Sequence, residues 1–216
     1  MRGRRSRAPR QAANILGAHV FVTFEGVDGS GKSTQAELLR NAWAAEEREV
    51  VLTREPGGTE LGEQVRELLL NGPAMTPWAE AALFAAARAE LVATVIRPAL
   101  ERDAEVVSDR YIDSSLAYQG IARGVGVQHV LELNLHAVQG LLPDVTFLLL
   151  LEPGEAARRS GETDRLEREG ADFRTRVAAA YEELAEYFPE RIVPLDGRLP
   201  EEELARLVQD RVRSRT

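Results

Sequence analysis

Short apolar runs rich in β-branched and aromatic residues recur along this chain, and between them apolar positions fall three and four apart. The runs predict strands at His19–Glu25 (HVFVTFE), Glu49–Thr53, Glu105–Ser108, Val145–Leu151 and Arg191–Leu195. The spaced positions predict helices at Gln35–Glu47, at Glu60–Leu70 with Leu61, Val65, Leu68 and Leu69 on one face, and at Trp78–Leu100, which is Ala-rich. Further helices are expected at Ser114–Ala122, Val127–Leu141, Phe173–Tyr187 and from Pro200 onward. REPGGT and NGPAMTP read as turn-rich breaks. A charged stretch, Glu152–Asp172, offers no core face and is the candidate mobile segment. Strands alternating with helices imply a parallel sheet covered on both faces, as the run Val145–Leu151, apolar but for Thr146, also indicates. With no internal repeat and no linker, residues 19–216 are expected to form one domain and residues 1–18 a disordered basic tail.

Composition narrows the chemistry. The 216 residues are 44% hydrophobic, enough for a sizeable core. Cysteine is absent, which excludes disulfides, thiol catalysis, iron–sulfur clusters and Cys-bound zinc; the three histidines form no HExxH motif. Residues 1–13 hold five arginines and no acid, which leaves −13 on the rest of a chain whose net charge is −8. A body that acidic is not expected to bind nucleic acid. No apolar run approaches the ~18 residues of a membrane span, and the expected compartment is the cytoplasm. Of 27 basic residues only Lys32 is lysine. A chain that otherwise uses the wide guanidinium fork keeps one compact ammonium, which points to a place where arginine does not fit.

That lysine lies in Gly26-Val27-Asp28-Gly29-Ser30-Gly31-Lys32-Ser33-Thr34, which fits G-x-x-x-x-G-K-[ST] between an expected strand and an expected helix. The glycines let successive N–H groups curl around phosphate oxygens, and the helix adds its positive end. Lys32 is placed to bridge the β- and γ-phosphates of a nucleoside triphosphate, and Ser33 to give a hydroxyl to Mg²⁺. The expected fold class is therefore α/β: a P-loop NTPase-type three-layer fold, with a parallel five-stranded sheet and helices on both faces. A regulatory GTPase needs an Asn-Lys-x-Asp guanine reader, for which no second lysine exists, and no LSGGQ-like signature marks an ABC-type ATPase. Transfer to a small acceptor needs a second anion site. Asp109-Arg110-Tyr111 after the third strand and Arg54-Glu55 after the second stand at the sheet edge where such folds bind ligands.

FEGVDGSGKST, TREPGGT, the Phe84–Arg88 pair, DRYIDSSLAYQG and Asp164-Arg165 occur in the order found in bacterial thymidylate kinases, and the chain resembles that family from about Val20 onward. The resemblance implies Mg²⁺-dependent phosphoryl transfer from ATP to dTMP, and a homodimer formed through helices outside the cleft. It implies that Arg110 holds the dTMP phosphate, Asp28 lies near that phosphate, Asp109 belongs to the Mg²⁺ shell, and Phe84 stacks on thymine. Arg88 is expected to hydrogen-bond the base, with Arg66 and Gln119 around it, Ser115 and Tyr118 on the sugar side, and Glu55 near the acceptor. The segment Arg158–Arg168, within a lid of about residues 153–172, resembles the family's mobile cover. Because Gly29 stands where some members place a phosphate-loop arginine, the catalytic arginine is expected from that lid, at Arg158 or Arg165 with Arg159 as a further candidate. Leu150 replaces an Asp that the family often has in its fourth strand. The alternatives are a kinase for another nucleoside monophosphate and a nucleotide-binding protein without turnover.

Overall fold

The computed structural model describes residues 19–159 and 165–214. The tail at 1–18 lies outside the described residues, as does the part of the lid at 160–164.

Five parallel strands, β1 (Phe21–Glu25), β2 (Val50–Arg54), β3 (Glu105–Asp109), β4 (Val145–Leu150) and β5 (Ile192–Asp196), form one sheet in the order β2-β3-β1-β4-β5. The strand alternation explains both layers. Val22 and Phe24 face one side, where Phe24 stacks on Phe147 with ring centroids 5.5 Å apart, and α1 (Lys32–Ala45) and α9 (Glu201–Arg213) cover them through Leu39, Trp43, Val208 and Val212. Phe21, Thr23 and Glu25 face the other side. There α3 (Pro77–Leu91), α5 (Ile112–Ser115), α6 (Val127–Ala137) and α8 (Ala171–Tyr187) complete the core. Each fully buried Leu or Phe contributes roughly 1.5–3 kcal/mol of burial free energy, so these two layers fix the sheet.

The register carries the site. Phe24 pairs with Asp109, and Asp109 with Arg54, so the ends of β1, β2 and β3 reach one edge together. β1 is central, and the chain builds β2 and β3 on one side of it before crossing to β4 and β5 on the other, which leaves a crevice at its carboxyl end.

Helix α2 (Glu60–Asn71) starts where the Thr59 side chain accepts from Gly62 N, and α3 starts where Thr76 accepts from Ala79 N ahead of Pro77. The stretch expected as one helix from Trp78 to Leu100 is continuous but widened: α3 passes through a π-helical segment, Val92–Ile96, into α4 (Arg97–Glu101). The expected helix Ser114–Ala122 likewise runs as α5 and then a π-helical segment, Leu116–Ala122. The helix expected to reach Leu141 stops at Ala137, because Gln139 (φ 51°) and Gly140 (φ 74°) turn the backbone left-handed. The charged stretch does have a core side. Helix α7 (Pro153–Arg159) buries Ala156, and the segment before the short 3₁₀ turn Glu167–Glu169 buries Leu166, single anchors too sparse to make a period.

Candidate active site

The loop leaving β1 is shaped by glycine. A Cβ on Gly26 would stand 2.5 Å from the Leu149 carbonyl oxygen, and Gly31, at the start of α1, has φ +94°. Unlike α2 and α3, α1 has no side-chain cap and no acid in its first turn, so its leading N–H groups are left for a ligand. Gly26 through Thr34 thus form a cradle for an anion. Lys32 lies within it, 6% exposed, donating to the Val27 carbonyl at 2.8 Å with Asp28 at 3.9 Å. Burial and the neighbouring Arg110 push its ammonium down to about 8, against the pull of Asp28 and Asp109.

Ser33 donates its hydroxyl to Asp109 Oδ2, while Asp109 Oδ1 is buried without a partner. An orphaned carboxylate oxygen beside a hydroxyl at the mouth of a phosphate cradle is a hard-oxygen donor set that suits Mg²⁺. Among the described residues no group of three or more His, Asp or Glu gathers around a point.

Arg110 follows β3 with a left-handed backbone, φ +72°, fixed by Arg110 N donating to the Phe24 carbonyl and by the Ser108 hydroxyl donating to the Arg110 carbonyl. Such strain in a non-glycine residue persists only where the surroundings impose it. The guanidinium is turned toward the phosphate loop. It donates to the Gly26 carbonyl and Ser114 hydroxyl at 3.0 Å, the Tyr181 hydroxyl at 3.1 Å and Asp28 at 2.5 Å, with its head 5.5 Å from the Tyr118 ring centroid. Burial alone would raise the Asp28 carboxyl, but Arg110 and Lys32 hold it down to about 2.

A cleft of about 80 Å³ opens beside this pair, lined by Asp28, Glu55, Arg66, Phe84, Arg110, Tyr118 and Gln119, together with Ser114, Pro56, Leu70 and Leu166. Seven expected acceptor-site residues therefore meet at one place. Phe84 packs with Val65, Leu69 and Leu166 to make the apolar part. Arg66 donates to the Pro56 carbonyl at 2.8 Å. Glu55 is buried, with burial raising its carboxyl against Arg88; its Oε1 has no protein partner. A second cavity, about 500 Å³, borders the phosphate loop at Gly26 and Val27 and runs between the ends of β4 and β5 and α8.

Three expected positions differ. Arg88 does not line the cleft: it is 1% exposed and donates four hydrogen bonds, to Glu55, Ser115, Asn134 and the Tyr111 carbonyl, with a further ion-pair contact to Glu55 at 2.5 Å. Ser115 is drawn into the same network and lies behind the cleft, not on a sugar side of it. Arg165 does not stand over the phosphate loop. It donates to the Leu69 carbonyl and to Glu80, both at 2.7 Å, which pins the lid segment to the Phe84 end. Arg158 is exposed on α7, and Arg159 pairs with Glu155 at 2.5 Å.

Sequence reasoning missed Glu25, Ser114, Tyr181 and Glu80. Glu25, at the end of β1, accepts from Tyr111 N, from Ser114 N and hydroxyl, and from the Tyr181 hydroxyl, and burial with nearby Asp113 pushes it up to about 7. A lone acid ending an apolar strand was its signal. Glu80 stands four residues before Phe84 and eight before Arg88, a shared helical stripe that marks it as well.

The family model described as thymidylate kinase matches residues 24–208. The thymidylate kinase of Clavibacter michiganensis subsp. michiganensis is 50% identical over 200 residues, covering 90% of this chain and 95% of the relative. That of Leifsonia xyli subsp. xyli is 49% identical over 201 residues, covering 91% and 95%. The solved thymidylate kinase from Ehrlichia chaffeensis aligns with a TM-score of 0.73 at 33% identity, covering 88% of this chain and 98% of that one.

Proposed function

The chain belongs to the thymidylate kinase family and phosphorylates dTMP to dTDP, and from that premise we propose how the cleft does so. The carrying observation is Arg110, whose guanidinium joins the phosphate loop at Gly26 to the cleft that Phe84 closes. ATP lays its triphosphate in the cradle, with Lys32 between the β- and γ-phosphates. The dTMP phosphate sits on Arg110, which suits phosphate as a planar fork and offsets its charge. Phe84 stacks on thymine and Tyr118 borders the sugar. Ser33 and Asp109 would hold Mg²⁺, which when bound would neutralise charge on the donor phosphates.

No general base is needed. A phosphate monoester has its second pKa near ~6 and is already a dianion at neutral pH. Asp28, held down to about 2, is too weak a base for that task and instead orients Arg110 and Lys32. The cleft is narrower than the roughly 300 Å³ of a usual ligand site, and Leu166 of the lid segment forms one wall. Entry of dTMP therefore moves that wall outward, and the lid arginine left to serve the reaction is Arg158, exposed on α7, while Arg165 stays on Glu80.

The exposed apolar side chains Leu61, Leu68 and Trp78 on α2 and α3 line neither cavity and support pairing of two chains there. The proposed compartment is the cytoplasm. Among the described residues no helix is long and apolar enough to cross a membrane.

The test is ADP formation with Mg-ATP while dTMP, dUMP, dCMP, dGMP and AMP are offered separately, alongside the mass in solution by light scattering. Turnover is expected to be strongest with dTMP, and the mass that of two chains. Preference for another monophosphate would discard the cleft assignments, and a single-chain mass would discard the pairing.

A further inference from the structure

Glu80 is a carboxylate only 1% exposed, on the stripe of α3 that carries Phe84. Four hydrogen bonds converge on it: Gln119 Nε2 at 2.8 Å, two from Arg123 at 3.2 and 3.3 Å, and one from Arg165 at 2.7 Å. A carboxylate between two guanidinium groups only accepts hydrogen bonds, so the Gln119 amide must turn its NH₂ toward Glu80 and its carbonyl oxygen away. The two ends of an amide look alike in shape, and here the chemistry of the partner decides between them. Gln119 Oε1 receives no hydrogen bond from a described residue and is not among the buried polar atoms left without a partner, so it opens onto the cleft that Gln119 lines.

We propose that Glu80 is a specificity-setting positioning residue: it fixes the Gln119 amide so that the acceptor cleft presents a carbonyl to the base edge and selects a pyrimidine whose ring N3 carries a hydrogen. Thymine and uracil carry that N–H. Cytosine has a bare lone pair at N3, which would face the amide oxygen lone pair to lone pair. With the base held by the Phe84 ring and its phosphate by Arg110, cytosine has little freedom to slide. Glu80 touches no substrate in this scheme and acts through Gln119. The inference rests on the dTMP reading above.

The experiment compares kcat/KM for dTMP, dUMP and dCMP in the wild type, Glu80→Gln, Gln119→Met, the double variant and Arg123→Gln. A glutamine at position 80 offers both donor and acceptor, so the Gln119 amide can flip. The dTMP/dCMP ratio is expected to fall at least about tenfold in Glu80→Gln, since discrimination through a buried hydrogen bond is lost. The dTMP/dUMP ratio is expected to stay within about twofold, because both bases carry the N3 hydrogen. In the Gln119→Met background, Glu80→Gln is expected to change the dTMP/dCMP ratio no further. Arg123→Gln removes a guanidinium but leaves the amide bonded to Glu80, and is expected to keep the ratio.

A purely structural Glu80 would lower all three substrates alike, and that outcome overturns the proposal. If Glu80→Gln does not fold, Gln119→Met carries the test, and an unchanged dTMP/dCMP ratio in it overturns the proposal equally. Absence of dTMP turnover in the wild type would instead remove the functional reading itself.

Discussion

Lys32→Arg, which keeps the positive charge, is expected to lower kcat about 10³-fold at saturating Mg-ATP and dTMP, as loss of a transition-state phosphate contact does. The chain places arginine at 26 of its 27 basic positions and lysine at this one. The reason is spatial. The Nζ of Lys32 lies 2.8 Å from the Val27 carbonyl inside the cradle, with the side chain 6% exposed. A guanidinium is a wide plane and needs room the loop does not have, so it must push the loop open or withdraw from the phosphates. The wild type also carries a pH signature. With the ammonium lowered to about 8 by burial and by Arg110, the free enzyme loses that charge as pH rises above about 8. kcat/KM for ATP, which reports the free enzyme, is expected to fall on that side. The arginine variant does not deprotonate in this range, so its residual activity should lack that limb. A variant within about tenfold of wild-type kcat would show that charge alone suffices and that the cradle does not read shape.

How much of this was legible in the sequence depends on how the parts are strung along the chain. The phosphate cradle is contiguous from Gly26 to Thr34, and the strand and helix that frame it follow from simple periodicity, so residues and context could be read together. The five strands were legible for the same reason. The role of Glu80 was not, although its helical stripe marks the position, because that role comes from partners 39, 43 and 85 positions away at Gln119, Arg123 and Arg165. Arg165 shows the converse. Its place in a charged stretch suggested the donor phosphates, but a buried carboxylate and the free carbonyls at the end of α2 bind it more strongly than solvent does. Arg88 sits one turn from Phe84, yet direction along a helix does not fix which side of the neighbouring ring a long side chain takes; Glu55 and Asn134 drew it inward. The π-helical segments were invisible because a single wide turn leaves the surrounding helical period intact. One of them carries Tyr118 and Gln119 into the cleft.

Arg110→Gln is expected to reduce kcat/KM for dTMP about 10³-fold, the scale of a phosphate-clamping arginine, while ATP binding without dTMP changes far less. The guanidinium makes four protein contacts, to Gly26, Ser114, Tyr181 and Asp28, and an amide has neither the donors nor the charge to replace them. Asp28 then loses the partner that chiefly holds its carboxyl at about 2, and its pKa moves up. The direction of the pH effects follows. In the wild type, the Asp28 contribution to stability is complete above the ordinary carboxylate value of 3.8 and is lost as pH falls toward about 2. The variant should show a smaller loss of Tm between neutral and acid pH, since less of that contribution exists to be lost. The Asp28 side chain is 41% exposed, so water can solvate the freed carboxylate and the fold should survive at neutral pH. Glu25 adds a second readout. Arg110 is among the groups that pull its raised carboxyl down, so removal of that charge is expected to move Glu25 further up, visible as a displaced carboxyl titration by NMR. A kcat/KM for dTMP within about tenfold of wild type would mean that the acceptor phosphate rests on some other group. A variant with lost activity and equally lost ATP affinity would mean that Arg110 serves the shape of the phosphate loop through Gly26 and not the acceptor.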